Sequence, residues 1–287
     1  MSLMTTPIHL PDRALVLIGG ADAESFLQNL ITCDVASLEP NRLALGALLA
    51  PQGKILFEFL IGRQTDDAEG FIADVRLDQV DEFVKRLTFY KLRAAVTVAR
   101  VEQAVGALLD AAATHGLPDP RHSSLGRRVW GDITTYSAAD DSYDLARLAA
   151  GVPELGKDFA PQTAFPHEVL MDQYAKGGVD FTKGCYVGQE VVSRMQHRGT
   201  ARSRFVLVSG AEELPAAGTD ILAGDRTIGQ MGSHIGTQGL ALVRLDRVGR
   251  TLADGGAITS DGKPITLALP EFVSFDWPVS DDGTAAN

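Results

Sequence analysis

Only two cysteines occur in 287 residues, and one of them has neighbours that could put a sulfur to work. Cys185 lies in Lys183-Gly184-Cys185-Tyr186, with Gly188 next to allow a bend and Gln189-Glu190 opening an expected helix that runs to about His197. A thiol just ahead of a helix N-terminus sits near its partial positive charge, and Lys183 adds a cation. Gly184 removes bulk beside the sulfur. Together these predict an accessible, reactive sulfur. The competing reading is a small buried hydrophobe, a common fate of free cysteine. Cys33, after Leu30-Ile31-Thr32, has no such setting and reads as a packing residue.

The second chemical feature is charge. Arg194, His197, Arg198, Arg202 and Arg204 fall within eleven residues of a chain whose formal net charge is −11. Arg194 and Arg198 are four apart and share a helix face. Such a cluster suits a ligand with several carboxylates or phosphates, because guanidinium pairs with these in bidentate fashion. Any one of them equally suits the negative end of the helix itself, but five together favour the ligand.

Other chemistries fail on spacing. His167-Glu168 begins an H-E-x-x-H pattern, but Met171 stands where the second zinc ligand is needed. No C-x-x-C, phosphate-binding loop or G-x-S-x-G elbow is present, so no metal site is expected. Gly19-Gly20 lacks the full dinucleotide spacing and reads as a strand–helix turn.

The elements that must position these residues follow from periodicity. Arg13–Ile18 reads as a strand, and Asp22 as the cap of a helix carrying Phe26, Leu27, Leu30 and Ile31. Residues 43–49 and 54–61 read as strands joined by the turn Pro51-Gln52-Gly53. Phe71–Val75 and Ala94–Val101 are further strands. Val80, Phe83, Val84 and Leu87 mark a helix over Asp78–Leu92. A second helix is expected over Gln103–His115, an exposed loop over Leu117–Ser124, a short strand at Arg127–Trp130 and a helix at Tyr143–Ala150 stopped by Gly151. After Arg204, short β runs alternate with Gly- and Asp-rich turns, the pattern of a small barrel or sandwich. Residues 278–287 read as a tail.

Composition bounds the rest. Hydrophobic residues make up 45% and charged residues 22%, ordinary for a globular protein. The acidic balance repels phosphate backbones and anionic lipid, so neither nucleic acid nor membrane is expected as a partner. Two distant cysteines imply a reducing compartment, and no secretory signal is read at the start, so the expected location is cytoplasmic.

The segment Lys183–Gly199, KGCYVGQEVVSRMQHRG, closely resembles the signature of the YgfZ family. Supporting similarities are Gly20-Ala21-Asp22-Ala23, Thr32-Cys33-Asp34-Val35, Pro51-Gln52-Gly53-Lys54-Ile55 and Arg147 through Pro153. The resemblance implies an α+β fold: a three-domain ring shared with the tetrahydrofolate-dependent aminomethyltransferase of glycine cleavage (GcvT). Residues 5–44 and 143–200 would form a split folate-binding domain, 45–142 an inserted α+β (ferredoxin-like) domain, and 203–277 a C-terminal β-barrel. It implies bound tetrahydrofolate, a functional thiol at Cys185 flanked by Lys183 and Tyr186, and iron–sulfur client or assembly proteins as partners. Candidate folate contacts are Gly184, Gly188, Gln189, Glu190, Arg194, Arg198 and Arg147.

The aminomethyltransferases carry G-G-[IV]-x-D-D after the hairpin and R-L-E-A-G later. Here Leu56 and Phe57 stand at the matching positions, with Glu58 displaced, and Arg147-Leu148-Ala149-Ala150-Gly151 lacks the glutamate. Binding is therefore favoured over aminomethyl transfer, with a one-carbon transferase as the alternative.

Overall fold

A computed structural model of the chain describes residues 6–64, 70–110, 112–175, 177–199 and 201–278. The first strands are β1 (Ile8–His9) and β2 (Arg13–Gly19), followed by α1 (Ala23–Gln28). The expected hairpin is β3 (Leu43–Leu49) and β4 (Ile55–Arg63), then β5 (Gly70–Arg76) and α2 (Val80–Tyr90). Next come β6 (Thr97–Val101), β7 (Ala104–Leu108), β8 (Leu117–Pro118), β9 (Arg127–Gly131) and α3 (Ser142–Ala150). A long irregular stretch leads to α4 (Gln189–Arg198). The remainder is β10 (Ser203–Gly210), β11 (Asp220–Ala223), β12 (Arg226–Ile235), β13 (Gln238–Arg244), α5 (Leu245–Ala253), β14 (Ile258–Ser260) and β15 (Lys263–Ala268).

Three assemblies result: an antiparallel sheet of order β3-β4-β5-β2-β6, a smaller sheet of order β1-β7-β9-β8, and a closed barrel of order β10-β13-β12-β11-β14-β15. The large sheet sends alternate side chains to opposite faces. Val16, Ile18, Phe57, Phe59 and Phe71 pack under α1 and α2, where Phe83 meets Phe57 and Phe59 at 5.3 and 5.2 Å between ring centroids. Leu15, Leu45 and Leu60 point the other way, into a core shared with the small sheet, α3 and the loop before α4. The barrel encloses its own core around Val206, Ile221, Ile228 and Val248.

The α+β class and the C-terminal barrel expected from the sequence are both present. The helix expected over Gln103–His115 is not. Residues 104–108 instead form β7, buried along most of its length between β1 and β9. An Ala-rich apolar run carries no period that separates helix from strand, and pairing on both sides decides it. Gly106 supports the strand, since a Cβ there would lie 3.0 Å from the Ile8 carbonyl oxygen. Asp22 does not cap α1; its carboxylate accepts the Ala95 backbone N–H at 2.7 Å. Helix α5 sits inside a stretch read only as β.

The domain boundary read at residue 45 runs through a sheet. Strand β2 pairs with both β5 and β6, and β1 pairs with β7, so the first segment completes sheets of the 45–142 block. The same segment also meets the later stretch, because the Thr32 hydroxyl donates to the Gly178 carbonyl at 2.6 Å. Of the expected tail, residues 279–287 lie outside the described residues. Among the described residues, no helix is long and apolar enough to cross a membrane.

Candidate functional site

The loop carrying Cys185 is tied down from its start. Gly178 N–H donates to the Leu45 carbonyl at 2.7 Å, and Asp180 N–H donates to the Thr32 carbonyl at 3.0 Å. The Asp180 carboxylate then accepts the Thr182 N–H (2.7 Å), the Thr182 hydroxyl (2.8 Å) and the Lys183 N–H (2.9 Å). Burial alone would raise that carboxyl, but these bonds outweigh it and hold its pKa below the ordinary range.

Lys183 does not serve Cys185. Its ammonium donates to the Ile31 and Cys33 carbonyls at 2.8 and 2.7 Å and stands over the Tyr186 ring at 5.4 Å. Burial lowers its pKa. Tyr186 is buried beneath it, with its hydroxyl unpartnered and its pKa raised by the same burial. Lys183 and Tyr186 are thus the rivets of the loop rather than reacting groups. What they hold up is Cys185, which is exposed, next to Gly184, around which there is open space. The buried-hydrophobe alternative therefore belongs to Cys33, whose thiol burial pushes up to about 12.

Two glycines join this loop to the hairpin. Gly188 precedes α4 with φ +81°, and a Cβ on it would stand 2.7 Å from the Ala50 carbonyl oxygen. Gly53, in the hairpin turn, also has φ +81°, and its added Cβ would reach Val191 at 2.9 Å. Backbone therefore meets backbone where α4 starts, which only glycine permits. Further along, His167 Nε2 contacts the Gln196 side-chain oxygen at 3.1 Å.

The basic cluster divides. Arg204 is buried, forked onto Asp172 at 2.7 and 2.8 Å, with its guanidinium over Phe275. Arg194 pairs on the surface with Glu190 at 2.6 Å. Arg198, His197 and Arg202 are exposed, leaving a basic edge at and just beyond the C-terminal end of α4. Arg147 is not available to a ligand. It is 1% exposed and bonds Asp144, Asp158, the Val152 carbonyl and Ser233 of the barrel.

Two clefts of about 520 and 560 Å³ meet at Tyr174-Ala175. The first is lined by Asp34, Arg42, Asp180, Phe181 and Thr182; the second by Asp119, Arg121, His122, Gln173 and Phe272. None of the folate contacts expected from the sequence lines either one. Tyr174 stacks on Phe272 at 5.1 Å and 24°, and its buried hydroxyl has no partner. An aromatic wall of this kind suits a flat heteroaromatic ring.

Behind the second cleft lies a charged core that the sequence reading missed. The expected exposed loop over Leu117–Ser124 buries Asp119 and Arg121 instead. Arg121 forks onto Asp119 and also reaches Glu154 (2.6 Å) and the Tyr143 hydroxyl (2.6 Å). Arg128 stacks over the Tyr143 ring, and Arg13 pairs with Asp74 at 2.6 Å. Burial costs these charges heavily, so they survive only because each meets its opposite. Glu58 is the exception: it is buried, accepts the Leu155 N–H at 2.8 Å, and its pKa is pushed up to about 7, burial outweighing Arg121. The available signal was one acid inside the apolar run Ile55–Ile61. Among the described residues, no group of three or more His, Cys, Asp or Glu side chains could hold a metal ion.

Comparison with known proteins adds to this geometry. Residues 202–275 match the family described as the CAF17 C-terminal beta-barrel domain. The chain is 30% identical to the mitochondrial iron-sulfur cluster assembly factor IBA57 homolog of Coccidioides immitis, across 97% of this chain and 79% of that protein. It is 31% identical to the tRNA-modifying protein YgfZ of Sodalis glossinidius, across 76% of each. Against several other fungal relatives the chain spans just over half their length, 55–56%. The glycine cleavage system aminomethyltransferase T of Bartonella henselae is similar in fold, with TM-score 0.69 over 92% of this chain and 86% of that one, at 16% identity.

Proposed function

The chain belongs to the family of IBA57 and YgfZ, and from that premise we propose that it is an accessory factor in iron–sulfur cluster assembly that binds a reduced folate. One observation carries the first half: a single exposed thiol, Cys185, presented on a loop riveted to the sheet by Asp180 and Lys183. Cys33 is buried, and no second ligand set stands by among the described residues, so Cys185 supplies one sulfur to iron–sulfur cargo whose other ligands come from a partner protein. As the sulfur–iron bond forms, the thiol proton leaves to solvent. The exposed Arg198, His197 and Arg202 offer that partner a basic docking edge. Two unpaired cysteines are compatible with a reducing compartment such as the cytoplasm.

The second half rests on the cleft at Tyr174. The Tyr174–Phe272 wall fits a pterin ring, and His122 and Gln173 stand at the same cleft. Folate would supply a one-carbon carrier there; the residues would bind and orient it.

Calorimetric titration with tetrahydrofolate tests the folate half. Saturable binding is expected, weakened about tenfold or more in Tyr174→Ala; absence of binding removes folate from the account. For the thiol half, Cys185→Ser is expected to leave an iron–sulfur enzyme inactive in cells that lack the wild-type protein. Full restoration by Cys185→Ser would remove Cys185 from the mechanism.

A second reading, one-carbon transfer to an amine, is favoured by Glu58. Its carboxyl is buried near Arg121 of the Tyr174 cleft, and burial pushes its pKa up to about 7, the range that suits proton transfer. Enzyme-dependent transfer of label from methylene-tetrahydrofolate, abolished in Glu58→Gln, would establish it.

A further inference from the structure

The large sheet has two edges, β3 and β6, and only one of them is covered. At β3 the Gly178 N–H donates to the Leu45 carbonyl at 2.7 Å, and the Ala47 N–H donates to the Thr32 hydroxyl at 2.9 Å. Strand β6 pairs with β2 alone. In an antiparallel pair, every second residue turns its N–H and C=O away from the partner strand. Among the described residues, no other element bonds to those outward groups over Thr97–Val101. A bare edge is a template for one more strand.

The faces and ends of this edge carry different chemistry. Val98 and Arg100 stand opposite Ile18 and Val16, so they share the helix side of the sheet, while Thr97, Ala99 and Val101 share the other. Thr97, Ala99 and Arg100 are exposed. Residues 82–101 hold Lys85, Arg86, Lys91, Arg93 and Arg100 against the single carboxylate of Glu82, in a chain whose formal net charge is −11. Lys85 and Arg86 share Glu82, and Arg93 is exposed with no ion pair among the described residues. Arg100 meets Glu102 at 3.4 Å, but both side chains are exposed, and such a pair is weak enough to be exchanged. Leu92, 84% exposed, stands at the Thr97 end beside Lys91, whose ammonium holds the Val96 carbonyl at 2.9 Å. At the Val101 end, a cleft of about 610 Å³ takes in Arg100, Val101 and Glu102 together with the exposed Leu77 and Ile133. Of the remaining charges in this cleft, Arg13 is spent on Asp74, and Asp132 on the Thr134 N–H. An arginine on a short edge also guards against aggregation, but a guard leaves the exposed Leu77, Leu92 and Ile133 unexplained.

We propose that the β6 edge docks an extended segment of a partner protein in which acidic residues alternate with apolar ones. The segment adds a strand to the sheet, with its carboxylates on the helix side toward Arg100 and a terminal apolar residue in the Leu77–Ile133 cleft. The proposal rests neither on the folate cleft nor on Cys185, whose loop is tied to the opposite edge.

The test uses the full chain and three short peptides. One alternates Glu with Val and carries Leu at each end. The second replaces its Glu by Lys. The third is the Glu–Val peptide methylated at every backbone nitrogen, which keeps the charge and side chains and removes the donors. Hydrogen exchange at Thr97–Val101 is expected to slow saturably with the Glu–Val peptide. The other two are expected to bind at least about tenfold more weakly. Arg100→Glu is expected to reverse the preference between the Glu and Lys peptides, and Ile133→Ser to weaken the Glu–Val peptide about tenfold. Phe89→Ser, on the exposed outer face of α2, is expected to change neither. If Arg100→Glu does not fold, the ranking of the peptides on the unaltered chain decides. Equal binding of the Glu–Val and methylated peptides, or no protection of β6, overturns the proposal. Protection that grows with protein concentration in the absence of peptide also overturns it, giving the edge to a second copy. So does sedimentation with phosphatidylserine vesicles that is lost in Phe89→Ser, which gives the basic surface to lipid.

Discussion

At the scale of single residues, the two cysteines make opposite predictions. Cys185 is exposed beside open space, while Cys33 is sealed in the core with its thiol pushed up to about 12. Iodoacetamide at neutral pH is expected to label one thiol in the folded protein and the second only after denaturation, as read by intact mass. Two labels without denaturant would mean that the core under Lys183 opens. Glu58 makes a prediction in pH. Its folded pKa, about 7, lies above its ordinary 4.5, so the folded state holds a proton that the unfolded chain has released between those values. The stability this group contributes is complete below about pH 4.5 and is lost as pH rises through 7. Glu58→Gln is expected to remove that slope and to be more stable than wild type above pH 7, by about 3 kcal/mol. Urea unfolding across pH 4.5–8 measures it, and parallel curves for the two proteins would show that Glu58 titrates normally.

At the scale of elements, the motif helix depends on where it begins. Gly188 combines a left-handed backbone with a gap too small for a Cβ, set against the turn that carries Gly53. Gly188→Ala is expected to cost at least about 1–2 kcal/mol for the backbone alone and to lift the start of α4 from the hairpin. Hydrogen exchange should then rise at Val191–Val192 and at Ala50–Gly53 together. A rise confined to α4 would mean that the glycine serves the helix only. Spacing alone located α4 and the hairpin, because a local pattern sets each of them. The partnership between α4 and the hairpin was not legible, since more than a hundred residues separate Gly53 from Gly188. Strand β7 failed for a related reason: an apolar run with no clear period takes the form of whatever pairs with it.

At the scale of the molecule, Arg147 joins three parts of the chain. It leaves α3, holds the 152–158 loop through Val152 and Asp158, and reaches Ser233 in the barrel. Removing it strands Asp158, which is buried, without its countercharge. Arg147→Ala is expected to cost about 3–5 kcal/mol. Limited proteolysis should then cut between α4 and the barrel before the sheets are lost. Loss of stability with no earlier cut would confine the role of Arg147 to α3. The sequence reading assigned Arg147 to folate because it sits in a resembling segment; nothing local reveals that its charge is consumed inside.

The sequence by itself determined the α+β class, the C-terminal barrel, the loop with one accessible thiol and the helix that follows it. These rest on local periodicity, turn chemistry and a contiguous motif, all written over a few neighbouring residues. Only the tertiary structure decided which charges face solvent and which face each other. Arg121 and Asp119 look like exposed loop residues until Glu154 and Tyr143 close over them, and Lys183 looks like a partner for Cys185 until its ammonium is traced to Cys33. A long cationic side chain reaches several ångströms from its backbone, so its role is set by which distant carboxylate or carbonyl the fold brings within that reach.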